Sequence, residues 1–390
     1  MKVAMALSGG GFRATVFHLG VLARFARSQL LEQVNFLSTV SGGSLCAGMV
    51  FKLNDYQWPG STAYLQQVEP EARRLLTTID LQKAVIIRAA TTFWAVLGTR
   101  ADDLSELMKR LWGIDIRLDE LPETPRWMIN ATCYETGKNW RFERFRMGDY
   151  RFGYTYDTRL PLTDAMAASA GFPGLIGPLE LKTDGYRWFR YKDTSENELE
   201  TPEVVGRQRL TEPVIPAYDE LHLWDGGVYD NHGLEGLHSF RDGWLQDIDF
   251  LVVSDAAGRS KPEKYRAGPK SLMRLITGIQ MDQIRSLRSR AIIERFVNHE
   301  DDGVFLQTGN TPRQVLRAAD RLAELPELLP DFQPDAEAQA VAQMETHIKQ
   351  MEPEEYERVF RHGFEVADLT LFAYYPDAFE HIPYRSVYPA

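Results

Sequence analysis

The tightest constraint on what this chain can fold into is a pair of glycine-rich turns near its start, each set between an apolar run and a helix-like run. Lys2-Val3-Ala4-Met5-Ala6-Leu7 reads as a buried strand, Ser8-Gly9-Gly10-Gly11 breaks it, and Ala14 to Arg27 reads as a helix with little polar face. Val34 to Val40 reads as a second strand, Thr39-Val40-Ser41-Gly42-Gly43 turns sharply, and Ser44 to Val50 continues as helix. Strand, helix, strand and helix in that order form a βαβ unit, whose crossover makes the two strands parallel and buries them on both faces. Sites in such sheets lie beyond the carboxyl ends of the strands, where both turns fall.

A serine that ends a buried strand and is followed by glycines can be held with its Oγ clear of the backbone, the arrangement of a nucleophile elbow. Ser41 is therefore a candidate nucleophile for an ester carbonyl, with a plain strand-to-helix turn as the alternative. Such a nucleophile needs donors for the developing oxyanion, a base, and a pocket that excludes water. Gly9, Gly10 and Gly11 can aim several backbone N–H groups at one point at a helix N-terminus, and Arg13 can add positive charge or anchor the loop. A dinucleotide-binding turn competes, because Gly9-x-Gly11-x-x-Ala14 fits the relaxed fingerprint. That fingerprint wants an acidic residue at the end of the second strand, and Ser41 stands there instead.

For the base, Asp225 ends the brief strand Leu221-His222-Leu223-Trp224 and precedes Gly226-Gly227, a turn that can expose its carboxylate on the same sheet edge as Ser41. Asp255 is a rival, since it also ends a buried strand, Asp249 to Ser254. A Ser-His-Asp triad would need one of eight histidines; His232 and His299 fit the chain order of α/β-hydrolases, although Ser41 follows only two strands, earlier than that fold places its nucleophile. No metal-ligand spacing such as HExxH is present.

The remaining pattern fits one large α/β domain with insertions, or two domains. The stretch 56–125 reads as mainly helical, with Ala84 to Leu97 apolar nearly all round and a stripe of Leu104, Leu107, Met108, Leu111 and Trp112; core packing is the first reading, a lipid-contacting cap the second. Trp127 to Thr132 reads as a strand, Glu135-Thr136-Gly137-Lys138 as a hairpin turn, and Leu162 to Ala170 as a short helix. Residues 193–219 read as a polar surface loop, Ser271 to Val297 as a helix, and 311–390 as a helical extension. Arg285, Arg288 and Arg295 read as a solvated helix face, with a basic face for lipid headgroups as the alternative.

The net charge of −11 argues against nucleic acid and against purely electrostatic docking on anionic membranes. Two cysteines, Cys46 and Cys133, are too few for a disulfide framework, and the N-terminus reads as a strand, not a signal peptide, so a cytoplasmic origin is expected. The longest apolar stretch, Ala84 to Gly98, is too short to span a bilayer.

Four blocks in order resemble the patatin-like phospholipase family: Ser8-Gly9-Gly10-Gly11-Phe12-Arg13-Ala14 its oxyanion loop, Thr39-Val40-Ser41-Gly42-Gly43 its nucleophile elbow, Ala167-Ala168-Ser169-Ala170-Gly171-Phe172-Pro173 a block lining its site, and Asp225-Gly226-Gly227 its catalytic Asp motif. The resemblance implies a three-layer α/β/α fold with a mainly parallel central sheet and helical insertions. The four blocks span about residues 3 to 232, and with the pattern along the chain the expected division is a catalytic domain over 1–310, with insertions at about 56–125 and 193–219, and an extension 311–390 packed on it. It implies a Ser-Asp dyad of Ser41 and Asp225, an oxyanion hole from Gly9, Gly10 and Gly11, and support from Arg13, Gly43 and Gly227, with no cofactor or metal. The implied substrate is a membrane phospholipid or lysophospholipid met by peripheral contact. Thr39 stands where the family's elbow has its first glycine.

Overall fold

The structure is a computed structural model that describes residues 1–91, 100–191, 211–239, 243–258, 262–268, 271–272 and 274–388. Its centre is a twelve-stranded sheet. In chain order the strands are β1 (Val3–Leu7), β2 (Val34–Val40), β3 (Arg126–Cys133), β4 (Lys138–Phe142), β5 (Met147–Asp149), β6 (Gly153–Thr155), β7 (Leu179–Lys182), β8 (Trp188–Tyr191), β9 (Thr211–Val214), β10 (Glu220–Asp225), β11 (Phe250–Asp255) and β12 (Gly303–Gln307). β12, β11, β1, β2 and β3 lie side by side and parallel, and from β3 onward an antiparallel meander through β4, β5, β6, β8 and β9 extends the sheet.

The expected βαβ unit is present, with α1 (Gly11–Arg27) as its crossover and α2 (Gly42–Leu53) following β2. α1 starts three residues before the apolar pattern begins, because Gly10 and Gly11 take φ of 146° and 60° and so bend the chain from strand into helix at once.

Alternation along the parallel strands separates two apolar layers. Val3, Met5 and Leu7 of β1 and Phe250 and Val252 of β11 pack with α1, α2 and α5 (Pro353–Tyr374). Ala4 and Ala6 of β1 and Leu251 and Val253 of β11 face the other way, onto Leu234, Leu237 and Ile292 of α4 (Gln280–Asn298). This is the three-layer α/β/α arrangement, with the mainly parallel part of the sheet in its middle.

One expectation changes and one is settled in favour of its first reading. The polar stretch 193–219 is not loop throughout: Thr211–Val214 is an edge strand paired with β8, a position that tolerates Pro213, while residues 192–210 lie outside the described residues. In the insertion, Leu104, Leu107 and Met108 are buried in the main core and Trp112 stacks on Phe12 with ring centroids 6.0 Å apart, so this stripe is core; Phe93 and Trp94 lie outside the described residues.

The C-terminal part docks on the N-terminal helix. Arg24 of α1 gives Nε–H to Asp368 Oδ1 of α5 at 2.6 Å with both side chains fully buried, and the same carboxylate takes the Ile382 N–H at 2.9 Å and contacts His381 Nδ1 at 2.5 Å. Removing one partner of a buried ion pair strands the other charge, which costs about 3–5 kcal/mol. Asp368→Ala is expected to lower the unfolding free energy by about that amount in urea titration, and Asp368→Asn by less, because it keeps an acceptor.

Candidate active site

β2 and β10 end against each other. β4 pairs with residues 129–133 of β3 and so fills one edge of that strand; β2 takes 126–130 and β10 takes 131–133 on the opposite edge. Val40 lies beside Asn130 and Asp225 beside Ala131, so two strands running in opposite directions bring Ser41 and Asp225 to the same level.

Ser41 has φ 51° and ψ −116°, a conformation that side chains rarely adopt and that projects Oγ away from the strand. Gly43 makes the turn sterically possible: a Cβ there would stand 2.2 Å from the Leu7 carbonyl oxygen. The Ser41 hydroxyl and the Asp225 carboxylate face the same cavity, and the hydroxyl favours the ionised carboxylate. That carboxylate accepts the Gly227 N–H at 2.7 Å, and Thr132 Oγ1 holds the Asp225 carbonyl at 2.8 Å.

The block Ala167 to Pro173, at the end of α3 (Leu162–Ser169), braces both halves. Ser41 N–H donates to Ser169 Oγ at 2.9 Å, and Ser169 Oγ is 2.8 Å from Ser44 Oγ. The Gly226 N–H donates to the Ser169 carbonyl and the Asp225 N–H to the Gly171 carbonyl, at 3.3 and 3.2 Å. Thr39 joins the same network: its Oγ1 is 2.8 Å from Ser44 Oγ and accepts the Trp127 Nε1–H at 2.9 Å. The hydroxyl at the elbow's first position is thus a brace between β2, β3 and α2. The resemblance marked the block Ala167 to Pro173 as lining the site but not Ser169 as its contact, since nothing local tells which residue of an Ala-Ala-Ser-Ala helix end reaches across to the elbow.

The glycine loop lies on the other side of Ser41. Gly9 N–H is engaged by the Asn231 carbonyl at 3.2 Å and Phe12 N–H by the His347 carbonyl at 2.8 Å. Gly9 passes beside Ser41, with a Cβ position 3.0 Å from Ser41 Cβ, and Gly10 and Gly11 follow at the start of α1. Arg13 is an anchor. It is buried, gives Nε–H to the Ala256 carbonyl at 3.2 Å and a second donor to the Met344 carbonyl, and keeps its charge at neutral pH although burial pulls its pKa down to about 10.

The two aspartates at strand ends part company. Burial pushes Asp225 up to about 7, only partly offset by the Gly227 N–H and Ser41 hydroxyl. Asp255 is as deeply buried, yet His232 and Arg285 hold it well below the usual carboxylate range. His232 Nε2 is 3.5 Å from Asp255 Oδ2 and 3.4 Å from Ser289 Oγ, and neither His232 nor Asp255 lines the cavity at Ser41. His299 is exposed at the end of α4. The histidine that does line the cavity is His347, which the sequence did not single out, and its Nδ1 accepts the Lys349 N–H at 3.3 Å.

That cavity measures about 120 Å³ and is lined by the glycine loop, Ser41, Asp225, Asn231 and an apolar rim that includes Leu104, Phe172, Met281 and Ile348. Its room suits a few water molecules. Among the described residues one grouping of metal-ligating type occurs, Glu180, Glu220 and His222; it lies outside the cavity lining, and His222 Nδ1 already meets Glu135 Oε1 at 2.7 Å. No helix of the described residues is long and apolar enough to cross a membrane.

A strained serine at a strand-to-helix turn, a buried carboxylate against its hydroxyl and a glycine loop beside it define a candidate serine-hydrolase site on a three-layer sheet. Residues 5–238 match the family described as Patatin-like phospholipase, and the chain belongs to that family. Among solved structures it is similar to human GIVD cytosolic phospholipase A2, with TM-score 0.52 and 14% identity over 97% of this chain and 59% of that one. The same human enzyme in complex with the inhibitor methyl gamma-linolenyl fluorophosphonate and terbium chloride gives TM-score 0.50 at 14% identity, again over 97% and 59%. The chain thus spans about three fifths of the length of those solved chains. No curated protein sequence matches it.

Ser169→Ala leaves the Ser41 N–H without its acceptor and the Ser44 hydroxyl without this partner, a loss of about 1–3 kcal/mol. The expected outcome is a lower melting temperature together with slower labelling by a fluorophosphonate probe, with the secondary structure retained in circular dichroism.

Proposed function

We propose that this protein is a lipid acyl hydrolase of phospholipase A or lysophospholipase type that cleaves fatty-acyl esters through a Ser41–Asp225 dyad. The observation that carries the reading is the strand register that sets Ser41, held at φ 51°, level with the buried carboxylate of Asp225, which has no cation on it among the described residues. Membership of the patatin-like phospholipase family supports the substrate class. Two free, buried cysteines support a cytoplasmic setting.

Ser41 Oγ attacks the ester carbonyl while its proton passes to Asp225, and the carbonyl oxygen becomes an anion facing the Gly10 and Gly11 N–H groups and the start of α1. The C–O bond to the alcohol then breaks, Asp225 returns the proton to the leaving oxygen, and the acyl group stays on Ser41. Water enters, gives its proton to Asp225 and adds to the acyl carbonyl; collapse of the second intermediate reprotonates Ser41 and releases the fatty acid. A single carboxylate can serve both directions because its pKa of about 7 matches the working pH. Arg13 and Ser169 support the loop and the elbow, and Gly43 and Gly227 let the two turns close.

Ser41→Ala is expected to abolish both fluorophosphonate labelling and fatty-acid release from mixed phospholipids, and Asp225→Asn to lower turnover by about 10²–10⁴-fold. His232→Ala and His299→Ala should retain near-normal turnover; a collapse in either would favour a triad esterase. Labelling that survives Ser41→Ala would overturn the assignment.

The pH dependence has a definite sign. Asp225 accepts a proton only when ionised, so kcat/KM should fall as pH drops through about 7, tenfold per unit below it, and this acid limb should vanish in the residual activity of Asp225→Asn. A profile flat from pH 5 to 8 in the native enzyme would exclude Asp225 as the base.

A further inference from the structure

One polar side chain at the candidate site has no part in the dyad. Asn231 follows the helical turn Gly227–Asp230 and lines the Ser41 cavity. Its main chain is held from two sides: its carbonyl accepts the Gly9 N–H at 3.2 Å, and the carboxylate of the preceding Asp230 accepts the His232 N–H at 3.1 Å and the Glu235 N–H at 2.9 Å. The side chain is thereby wedged between the two glycine turns. A Cβ on Gly9 would stand 2.5 Å from Asn231 Oδ1 and 3.0 Å from Ser41 Cβ; a Cβ on Gly227 would stand 2.6 Å from the same oxygen and 3.0 Å from Asp225 Oδ1. The head of the carboxamide is therefore close to both the nucleophile and the base. Neither end of it has a hydrogen-bond partner among the described residues. The Asn130 carboxamide, by contrast, donates to Ser38 and Thr39 and accepts from Asn139. An amide left open at a cavity is one with capacity for a ligand or a water.

We propose that Asn231 is a catalytic residue of the second half-reaction, its carboxamide oxygen holding the water that hydrolyses the acyl-enzyme. The inference rests on the Ser41–Asp225 hydrolase reading. In the first half-reaction the proton that Asp225 takes comes from the Ser41 hydroxyl, and no further partner is required. Once Ser41 is acylated that hydroxyl is gone, and a water must stand beside Asp225 in its place. An ordered water needs two to four polar partners, and the cavity has room for a few such molecules. Asp225 accepts one of its hydrogens; the other needs a second acceptor. Arg13 can only donate. The segment bearing Thr346 and His347 crosses at Gly11, where a Cβ would stand 2.5 Å from the His347 carbonyl oxygen, on the oxyanion side of the cavity. Asn231 is the acceptor that adjoins Asp225. The step balances: the water oxygen bonds to the acyl carbon, one proton goes to Asp225, and the other stays on that oxygen, hydrogen-bonded to Oδ1. Collapse breaks the bond to Ser41 Oγ, which takes the proton back from Asp225, and the fatty acid leaves with the retained hydrogen. Being uncharged, the carboxamide orients the water without competing for its proton.

The test separates acylation from deacylation. Native protein, Asn231→Ala and Asn231→Asp are compared in fluorophosphonate labelling, which reads nucleophilic attack alone, and in rapid-quench hydrolysis of p-nitrophenyl butyrate with intact mass spectrometry of the acyl-enzyme. Asn231→Ala should label at a rate within about threefold of native, yet show a burst of nitrophenol stoichiometric with enzyme, acyl groups accumulating on Ser41, and a steady rate lower by at least about tenfold. Asn231→Asp restores an acceptor, so its steady rate should exceed that of Asn231→Ala, while a second carboxylate beside Asp225 moves the acid limb of the pH profile upward. Labelling and turnover that fall together would make the residue an oxyanion donor or a packing wedge and overturn the inference. So would a slowed Asn231→Ala in which no acyl-enzyme accumulates. If Asn231→Ala does not fold, Asn231→Asp decides alone, and an acid limb unmoved from the native one overturns the inference. A native protein with no Ser41-dependent turnover on any ester removes the hydrolase reading and this inference together, whereas Ser41-dependent turnover that is unchanged in Asn231→Ala removes the inference alone.

Discussion

Everything at the candidate site follows from two strand tips meeting along one edge of β3. β2 occupies that edge up to Asn130 and β10 must stop at Ala131, so Ser41 and Asp225 are set opposite each other by the main-chain ladder. Side-chain reach then has little left to do. Ser169 lies where it can serve both tips, with its hydroxyl on the Ser41 amide and its carbonyl on the Gly226 amide, and Thr132 fixes the Asp225 backbone from β3. A nucleophile held at φ 51° stays there only because its surroundings over-determine it. Here those surroundings are the ladder, the Ser44–Ser169–Thr39 network and the close passage of Gly43 over Leu7.

The parallel centre was legible because each of its strands is a short continuous apolar run bounded by turn residues, as in Val3–Leu7, Val34–Val40 and Phe250–Asp255. The glycine loop, the elbow and the Asp225 turn were legible because each has its own local chemistry. What was not legible lies between distant residues. β10 was expected only to reach the right sheet edge; that it does so antiparallel to β3 depends on which edge β4 leaves free. Thr39 was a departure to be tolerated, yet its hydroxyl holds the Trp127 indole of the next strand, 88 residues on. The Gly9 amide cannot be assigned from a glycine count, since its fate depends on the carbonyl of Asn231. Likewise the segment that crosses the loop through Met344 and His347 lies beyond residue 238, where the family match ends.

Two buried carboxylates at strand ends also divide the electrostatic work. Asp255 is surrounded by His232 and Arg285 and stays ionised, whereas Asp225 has only neutral donors and rises to about 7. Sequence position alone could not separate them, because both follow buried strands. Environment does, and it is the carboxylate without a cation that is poised to exchange a proton near neutral pH.

The same charge arrangement sets the rotation of α4. Asp255, Asp230, Glu235 and Asp302 present acidic groups on the side of the sheet that α4 covers, and Arg285, Arg288 and Arg295 turn in to meet them. With Arg285, Arg288 and Arg295 turned to that side, Leu287 and Val297 stay exposed while Ile292 goes inward and Phe296 packs beside it. Charged side chains ordinarily point to solvent, which is why the sequence reads these arginines outward. Once the partners are known the logic inverts: neutralising the carboxylates behind the site turns Arg285, Arg288 and Arg295 inward. Site electrostatics and the seating of α4 are therefore one constraint. A change that removed Asp255 would be felt both at the Gly258 carbonyl, which Arg285 holds, and in how α4 lies on the sheet.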